Sequence, residues 1–271
     1  MATDLSAMQA HYELGREAGR LAEGLGLVEF ERTKEIVLRA LPAPPAVVAD
    51  VGGGPGRYSL WLAAAGYRVE HRDLAPGHVE HLASMRAEGV TTRVADARQL
   101  DLSDASVDAV LLLGPLYHLE TADERTAALA EAARVVRPGG PVFAAAISRW
   151  APRLHGLLAQ RLYERYPVMT SVVGRVEQSG TLMPLYEGSF CGYTHRPEEL
   201  EAEVRAAGLD LLDVVGVEGV AFALGDLSDR LADPHARAVV LDAARELERV
   251  PELLGVSPHM LATARRMPAG T

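Results

Sequence analysis

The stretch Val47 to Gly56, VVADVGGGPG, constrains the fold of this chain more than any other. Val47, Val48, Ala49 and Val51 read as a buried strand. Gly52, Gly54 and Gly56 then permit a tight turn and a close approach of backbone to a ligand. Arg57 to Ala65 reads as a helix. Strand, glycine turn and helix make a cradle in which backbone N–H groups and the helix N-terminus face a bound polar group. A dinucleotide fingerprint G-x-G-x-x-G counted from Gly52 needs glycine at position 57, where the chain has Arg57. Asp50 adds a carboxylate where a pyrophosphate would be repelled. A phosphate-binding P-loop is excluded, because no G-K-[ST] follows and Lys34 is the only lysine.

The elements downstream alternate. Tyr67 to Arg72 reads as a second strand ending in Asp73, where a carboxylate can accept both hydroxyl hydrogens of a ribose or cap the helix that starts near Pro76. His78 to Glu88 reads as a helix, and Val90 to Val94 as a third strand followed by Ala95-Asp96-Ala97. The run Val107 to Leu113 is an apolar strand of the kind buried in a parallel sheet, broken by Gly114-Pro115 and followed by Leu116-Tyr117-His118-Leu119. Ala122 to Val136 reads as a helix, closed by Arg137-Pro138-Gly139-Gly140 before a strand at Val142 to Ile147.

The run Asp50-Val51-Gly52-Gly53-Gly54-Pro55-Gly56 resembles motif I of the class I S-adenosylmethionine-dependent methyltransferases, small-molecule type. Ser106-Val107-Asp108-Ala109-Val110 with the following loop resembles their motif IV, and Glu131 to Gly140 resembles the segment before their fifth strand. The resemblance covers roughly residues 45 to 266. It implies an α/β fold: a seven-stranded, mostly parallel, doubly wound sheet with helices on both faces, whose reversed last strand returns between the fifth and sixth. It implies S-adenosyl-L-methionine as cofactor, leaving as S-adenosyl-L-homocysteine. Asp50, Gly52, Gly53, Gly54 and Gly56 would cradle its amino-acid end, Asp73 and Leu74 would meet the ribose, and Asp96 and Ala97 the adenine. Leu113 and Gly114 would border the cofactor, and Tyr117 and His118 would lie beside the transferable methyl group as the catalytic candidates. His118 has the reference pKa of a general base, and packing or a loop hydrogen bond is its other reading.

Residues 1–44 are expected to form an N-terminal helical lid, with helices between 7 and 40 separated at Gly24/Gly26. Tyr12 and Arg20 would touch the cofactor if that segment closes over it; otherwise they belong to a solvated helix. Residues 45–147 are the expected cofactor-binding core. Residues 148–195 interrupt the alternation with a dense set of aromatic and hydrogen-bonding side chains, including a helix at Arg153 to Tyr166. This insertion is the expected cap over the acceptor, with Arg149 meeting an anionic group and Tyr163, Tyr166 and His195 as further substrate contacts. Residues 196–271 return to the core: a helix from Arg196, a strand at Leu209 to Val217, a mostly helical stretch Leu224 to Leu254, and a last strand at Ser257 to Arg265.

Of 271 residues, 48% are hydrophobic, ample for a buried core, and the formal net charge of −10 argues against a nucleic-acid partner. A single cysteine, Cys191, permits no internal disulfide and suits a reducing cytoplasm. No window of about 20 uncharged apolar residues suggests a membrane span, and the N-terminal sequence does not read as a signal peptide. No metal site is expected, since the motif IV loop offers Gly-Pro-Leu-Tyr-His. The expected activity is methyl transfer to O or N of a small molecule, such as an antibiotic-type natural product or other secondary metabolite. An NAD(P)-dependent oxidoreductase and a non-catalytic S-adenosylmethionine-binding module are the rival readings. Oligomeric state is not written in any motif.

Overall fold

The computed structural model describes residues 17–183 and 191–268. Seven strands form one sheet: β1 (Val47–Val51), β2 (Arg68–Asp73), β3 (Val90–Val94), β4 (Ala109–Leu112), β5 (Pro141–Ile147), β8 (Leu209–Gly216) and β9 (His259–Arg266). Their order is β3-β2-β1-β4-β5-β9-β8. The first five run parallel, while β9 pairs antiparallel with both β5 and β8. The reversed final strand between the fifth and sixth is the arrangement expected from the sequence. Its consequence is geometric: β9 begins on the rim where the parallel strands end.

The period of two along each strand divides the core into two layers. Ala49, Val51, Val110, Leu112, Val142 and Ala144 face the helices Ala122–Val135 and Pro197–Ala206. Val48, Ala109, Leu111, Phe143 and Ala145 face the helices Gly24–Leu38 and Arg57–Ala64. Central strands β4 and β5 are buried on both faces, which accounts for their hydrophobic sequence, and β1 is equally buried but carries the acid Asp50.

Two sequence expectations change. Of the segment expected as a lid, the helix Gly24–Leu38 is instead part of the core: Val28, Phe30, Ile36 and Val37 are buried. Its apolar residues serve packing, and among the described residues of this segment Arg20, Leu21 and Glu29 line the site. The expected helix Arg153 to Tyr166 is two pieces, a π-helical turn at Pro152–Ala159 and a short helix at Leu162–Arg165. Arg161 between them has φ +53°, a left-handed conformation that ends the first piece without a glycine or proline to announce it. The helix Met169–Ser179 and a hairpin of β6 (Thr181–Leu182) with β7 (Gly192–Tyr193) complete the described part of the insertion.

Candidate active site

The parallel strands end at a cavity, and the glycine turn forms its floor. Gly52, Gly54 and Gly56 all adopt positive φ, at +66°, +57° and +87°. A Cβ on Gly52 would stand 2.5 Å from Pro115 Cγ, and one on Gly56 would stand 2.6 Å from Leu82 Cδ1, so both positions exclude a side chain sterically as well as torsionally. At Gly54 a Cβ would meet nothing within 4 Å. There the constraint is torsional alone, and the backbone borders open cavity.

Asp50 lies under this turn, buried and cavity-lining. Its Oδ2 accepts from Ser59 Oγ at 2.6 Å, while its buried Oδ1 has no partner among the described residues. Burial pushes the Asp50 carboxyl up, against the pull of neighbouring His71. An orphaned acceptor in a cavity wall fits a cationic ligand group such as an ammonium.

Asp73 closes β2 and accepts from the backbone N–H groups of Gly54 and Ala75, both at 2.8 Å, and lies 3.1 Å from His78 Nδ1. Burial opposes its charge, but the His78 and backbone hydrogen bonds outweigh that and hold the carboxyl below its usual range. A carboxylate offers about four acceptor sites. Three are engaged, so a diol bound here must share oxygens with the turn and His78. Asp96 also lines the cavity, yet Arg98 spans both of its oxygens at 2.6 to 3.2 Å and its Oδ1 accepts from the Arg98 backbone N–H. Burial opposes the Asp96 charge, and Arg98 outweighs it and lowers the carboxyl. Adenine recognition by this carboxylate would therefore occur beside a guanidinium.

Leu74, Ala97, Leu113, Gly114, Tyr117 and His118 all line the same cavity. Pro115–His118 forms a single 3-10 turn, in which the Tyr117 hydroxyl donates to Leu113 O at 3.2 Å and the Tyr117 and His118 rings lie 4.8 Å apart. Arg20 reaches the cavity wall and pairs with Glu29, also lining. Tyr12 lies outside the described residues.

The expected acceptor contacts of the insertion are not brought to this cavity. Arg149 is 2% exposed, and its guanidinium donates to Thr194 O, the Tyr193 hydroxyl and Glu199. This corrects the expectation that it meets an anionic acceptor: its charge is already matched inside the fold. His195 is buried and bonded to Glu203, which Arg125 grips through both Nε and Nη2. Burial lowers the His195 imidazole below its ordinary value, against the pull of Glu203. Tyr163 is 42% exposed, and Tyr166 packs against Leu157, Met169 and Val173. Arg149, His195 and Tyr166 thus anchor the insertion, and Tyr163 lies on its surface.

Several residues at the cavity escaped sequence reasoning: Leu21, Glu29, Arg57, Tyr58, His78 and Arg98. Arg98 had a legible local signal, an arginine two positions after an expected ligand. Glu29 had none, because it arrives on a helix from outside the motif region. Glu29 also meets Glu218 and His259, the three side chains offering potential ligand atoms within 4.8 Å of one another.

A methyltransferase-domain model matches residues 49–144. A ubiquinone/menaquinone biosynthesis C-methyltransferase of Acidiphilium cryptum is 36% identical over 155 residues, 54% of this chain and only 59% of the relative's length. A ubiquinone biosynthesis O-methyltransferase of Xanthomonas axonopodis pv. citri is 32% identical over 187 residues, covering 68% of this chain and 70% of the relative. A solved S-adenosylmethionine-dependent methyltransferase from Methanosarcina mazei shares the fold, with a TM-score of 0.57 at 17% identity over 86% of this chain and 97% of that one. The matched stretch carries the glycine turn, both strand-end acids and the Gly114–His118 loop, so sequence likeness and cavity geometry converge on one cofactor: the chain belongs to the class I S-adenosylmethionine-dependent methyltransferases.

Proposed function

We propose that this chain transfers a methyl group from S-adenosylmethionine to an oxygen or nitrogen of a small-molecule acceptor, of the natural-product or secondary-metabolite class. The observation that carries the reading is the joining of two features in one cavity, the glycine turn with its orphaned Asp50 oxygen and the Pro115–His118 turn with its imidazole. When bound, the cofactor supplies an electrophilic methyl on a sulfonium with a good leaving group. The protein's task is then chiefly orientation, an effect worth several kcal/mol, about 7–11 in the best-aligned cases. Asp50 would hold the cofactor's ammonium, Asp73 with Leu74 its ribose, and Asp96 with Ala97 its adenine. His118 would accept the acceptor's proton where one must leave, and Tyr117 would fix the turn through Leu113 O.

A small acceptor is supported by the net charge of −10, which disfavours a polyanion. The two relatives differ by name in the atom methylated, carbon in one and oxygen in the other, so family membership leaves that atom open. The oxygen or nitrogen reading rests on the imidazole at the turn. Incubating the protein with methyl-labelled cofactor and a metabolite extract, then weighing the labelled products, tests it. A labelled small product bearing an O- or N-methyl is expected. Absence of any cofactor consumption would favour a binding module, and a labelled C-methyl product would overturn the choice of atom.

A further inference from the structure

His259 opens β9 opposite Ile147, the last residue of β5, on the rim that also carries Leu113 and Gly114. Adjacent strands lie about 4.8 Å apart, and β5 alone separates β4 from β9, so β9 begins about 10 Å from the end of β4. A molecule whose reacting atom sits at the Gly114–His118 turn and that is long enough to cross the end of β5 would reach His259, which stands outside the lining of the donor cavity. Glu29 joins the two places: it lines the donor cavity, and its Oε2 lies 3.8 Å from His259 Nδ1.

The imidazole is oriented from behind. Fully buried Glu218 pairs with His259 Nδ1 and accepts from the His259 backbone N–H at 3.0 Å and from Ser257 Oγ at 2.9 Å. With Nδ1 committed, Nε2 is the free end of the ring. It has no hydrogen-bond partner among the described residues, and 19% of the side chain remains accessible. The charged and titratable groups facing His259 are Glu218 after β8, Glu29 from the helix Gly24–Leu38, Arg20 at the end of the short helix Glu17–Arg20 and His155 from the π-helical turn.

Burial opposes charge on His259, but the Glu218 and Glu29 carboxylates outweigh it and raise the imidazole to about 9. Burial lowers His155, which therefore stays neutral at pH 7. At that pH Nε2 carries a proton and acts as a donor, unlike a poised base. Arg20 offsets Glu29 and His259 offsets Glu218, so an incoming anion meets no excess of negative charge. A divalent cation could also be pictured among Glu29, Glu218 and His259, but their ligand atoms are already matched by Arg20, Ser257 and one another.

We propose that His259 recognises the acceptor, its Nε2–H donating to an anionic oxygen of that molecule, with Glu218 and Glu29 as positioning residues. The proposal rests on the methyltransferase reading above, since it takes the Gly114–His118 turn as the reacting end. A carboxylate or phenolate bound here would gain a charge-assisted hydrogen bond that its neutral counterpart lacks.

The test follows the imidazole resonances of His259 by NMR, assigned through His259→Gln, while benzoate or its neutral isostere benzamide is added with and without S-adenosylhomocysteine. Benzoate is expected to displace the His259 Nε2 resonance and to bind about tenfold more tightly than benzamide. That preference should disappear as pH rises through about 9 and in His259→Gln. Glu218→Gln should bring the loss of preference down toward neutral pH, with retained S-adenosylhomocysteine binding showing that the fold survives. Equal binding of the two probes, no displacement by benzoate, or an unchanged preference in His259→Gln overturns the proposal. Stoichiometric capture of Zn2+ by the cluster overturns it too, by assigning these residues to a cation. S-adenosylhomocysteine binding is measured separately by calorimetry, and its absence would count against the methyltransferase reading, whereas the benzoate preference is still read on the cofactor-free protein.

Discussion

The two halves of the sheet rim are built by different means. On the β1–β4 side, each contact group either ends its strand, as Asp73 does, or follows it by one or two residues, as Gly52, Asp96 and Gly114 do, so all four lie at strand ends. On the β5–β9–β8 side, the polar groups come from distant parts of the chain: Glu29, Arg149, Glu203, Glu218 and His259 meet through tertiary packing. The first half holds its ligand groups with backbone turns, and the second with buried ion pairs. The difference teaches where a substitution should cost affinity and where it should cost folding.

The largest effect is expected at Arg125, which clasps Glu203, donates to Leu119 O and Glu120 O, and stacks on the Tyr193 ring at 3.6 Å. Arg125→Met strands a largely buried carboxylate and should cost about 3–5 kcal/mol of stability in urea unfolding. Molecules still folded should bind S-adenosylhomocysteine as before. A parallel loss of cofactor affinity would dissolve the contrast between the halves. Asp73→Ala should show the opposite pattern, weakening S-adenosylhomocysteine by about 1.5–3 kcal/mol in calorimetry, since a charge-assisted contact is removed. Unchanged affinity would remove Asp73 from the cofactor's binding groups.

A smaller effect separates holding from chemistry. His118→Ala should lower turnover about tenfold, about 1.4 kcal/mol in the barrier, with cofactor affinity unaltered. Wild-type turnover would leave His118 a packing residue of the turn. The smallest expected effect is in the pH dependence of stability, where the halves should fail at opposite ends. His259 is raised to about 9, so its contribution is complete below its ordinary value of 6.5 and is lost as pH rises through about 9. Asp73 and Asp96 are lowered from 3.8, so their contributions are present above that value and vanish as pH falls through their depressed values. In His259→Gln the alkaline limb should flatten and the acid limb remain, as read from Tm against pH.

The same contrast explains how much of the molecule could be read from its sequence. The strand periodicity, the glycine turn and the acids at Asp73 and Asp96 are local patterns that point to the donor cavity, while the sheet order with its reversed strand came from the family resemblance those patterns carry. Tyr117 and His118 were found because they follow β4 directly. Arg149 misled because an arginine after a strand looks the same whether it faces a ligand or Glu199, and only folding chooses between them. Glu29 and His259 were invisible for the converse reason: each sits in an ordinary amphipathic element, and their meeting depends on a strand reversed across the sheet. The break at Arg161 was hidden because its left-handed backbone falls on a residue that is neither glycine nor asparagine, the types that ordinarily signal it.

The place of β9 has a further consequence for how the molecule is made. It is synthesised after β8 but lies between β5 and β8, so a gap must stay open in the sheet while the intervening helices emerge from the ribosome. Until β9 slots in, β5 and β8 each expose an unpaired edge able to join a foreign strand. The donor-binding half waits for no later strand in this way, since β1 to β4 pair among themselves in the order β3-β2-β1-β4. A nascent chain would thus possess the cofactor cradle before it possesses the rim that closes the far side, and the interval between the two is where this fold is most exposed to misassembly.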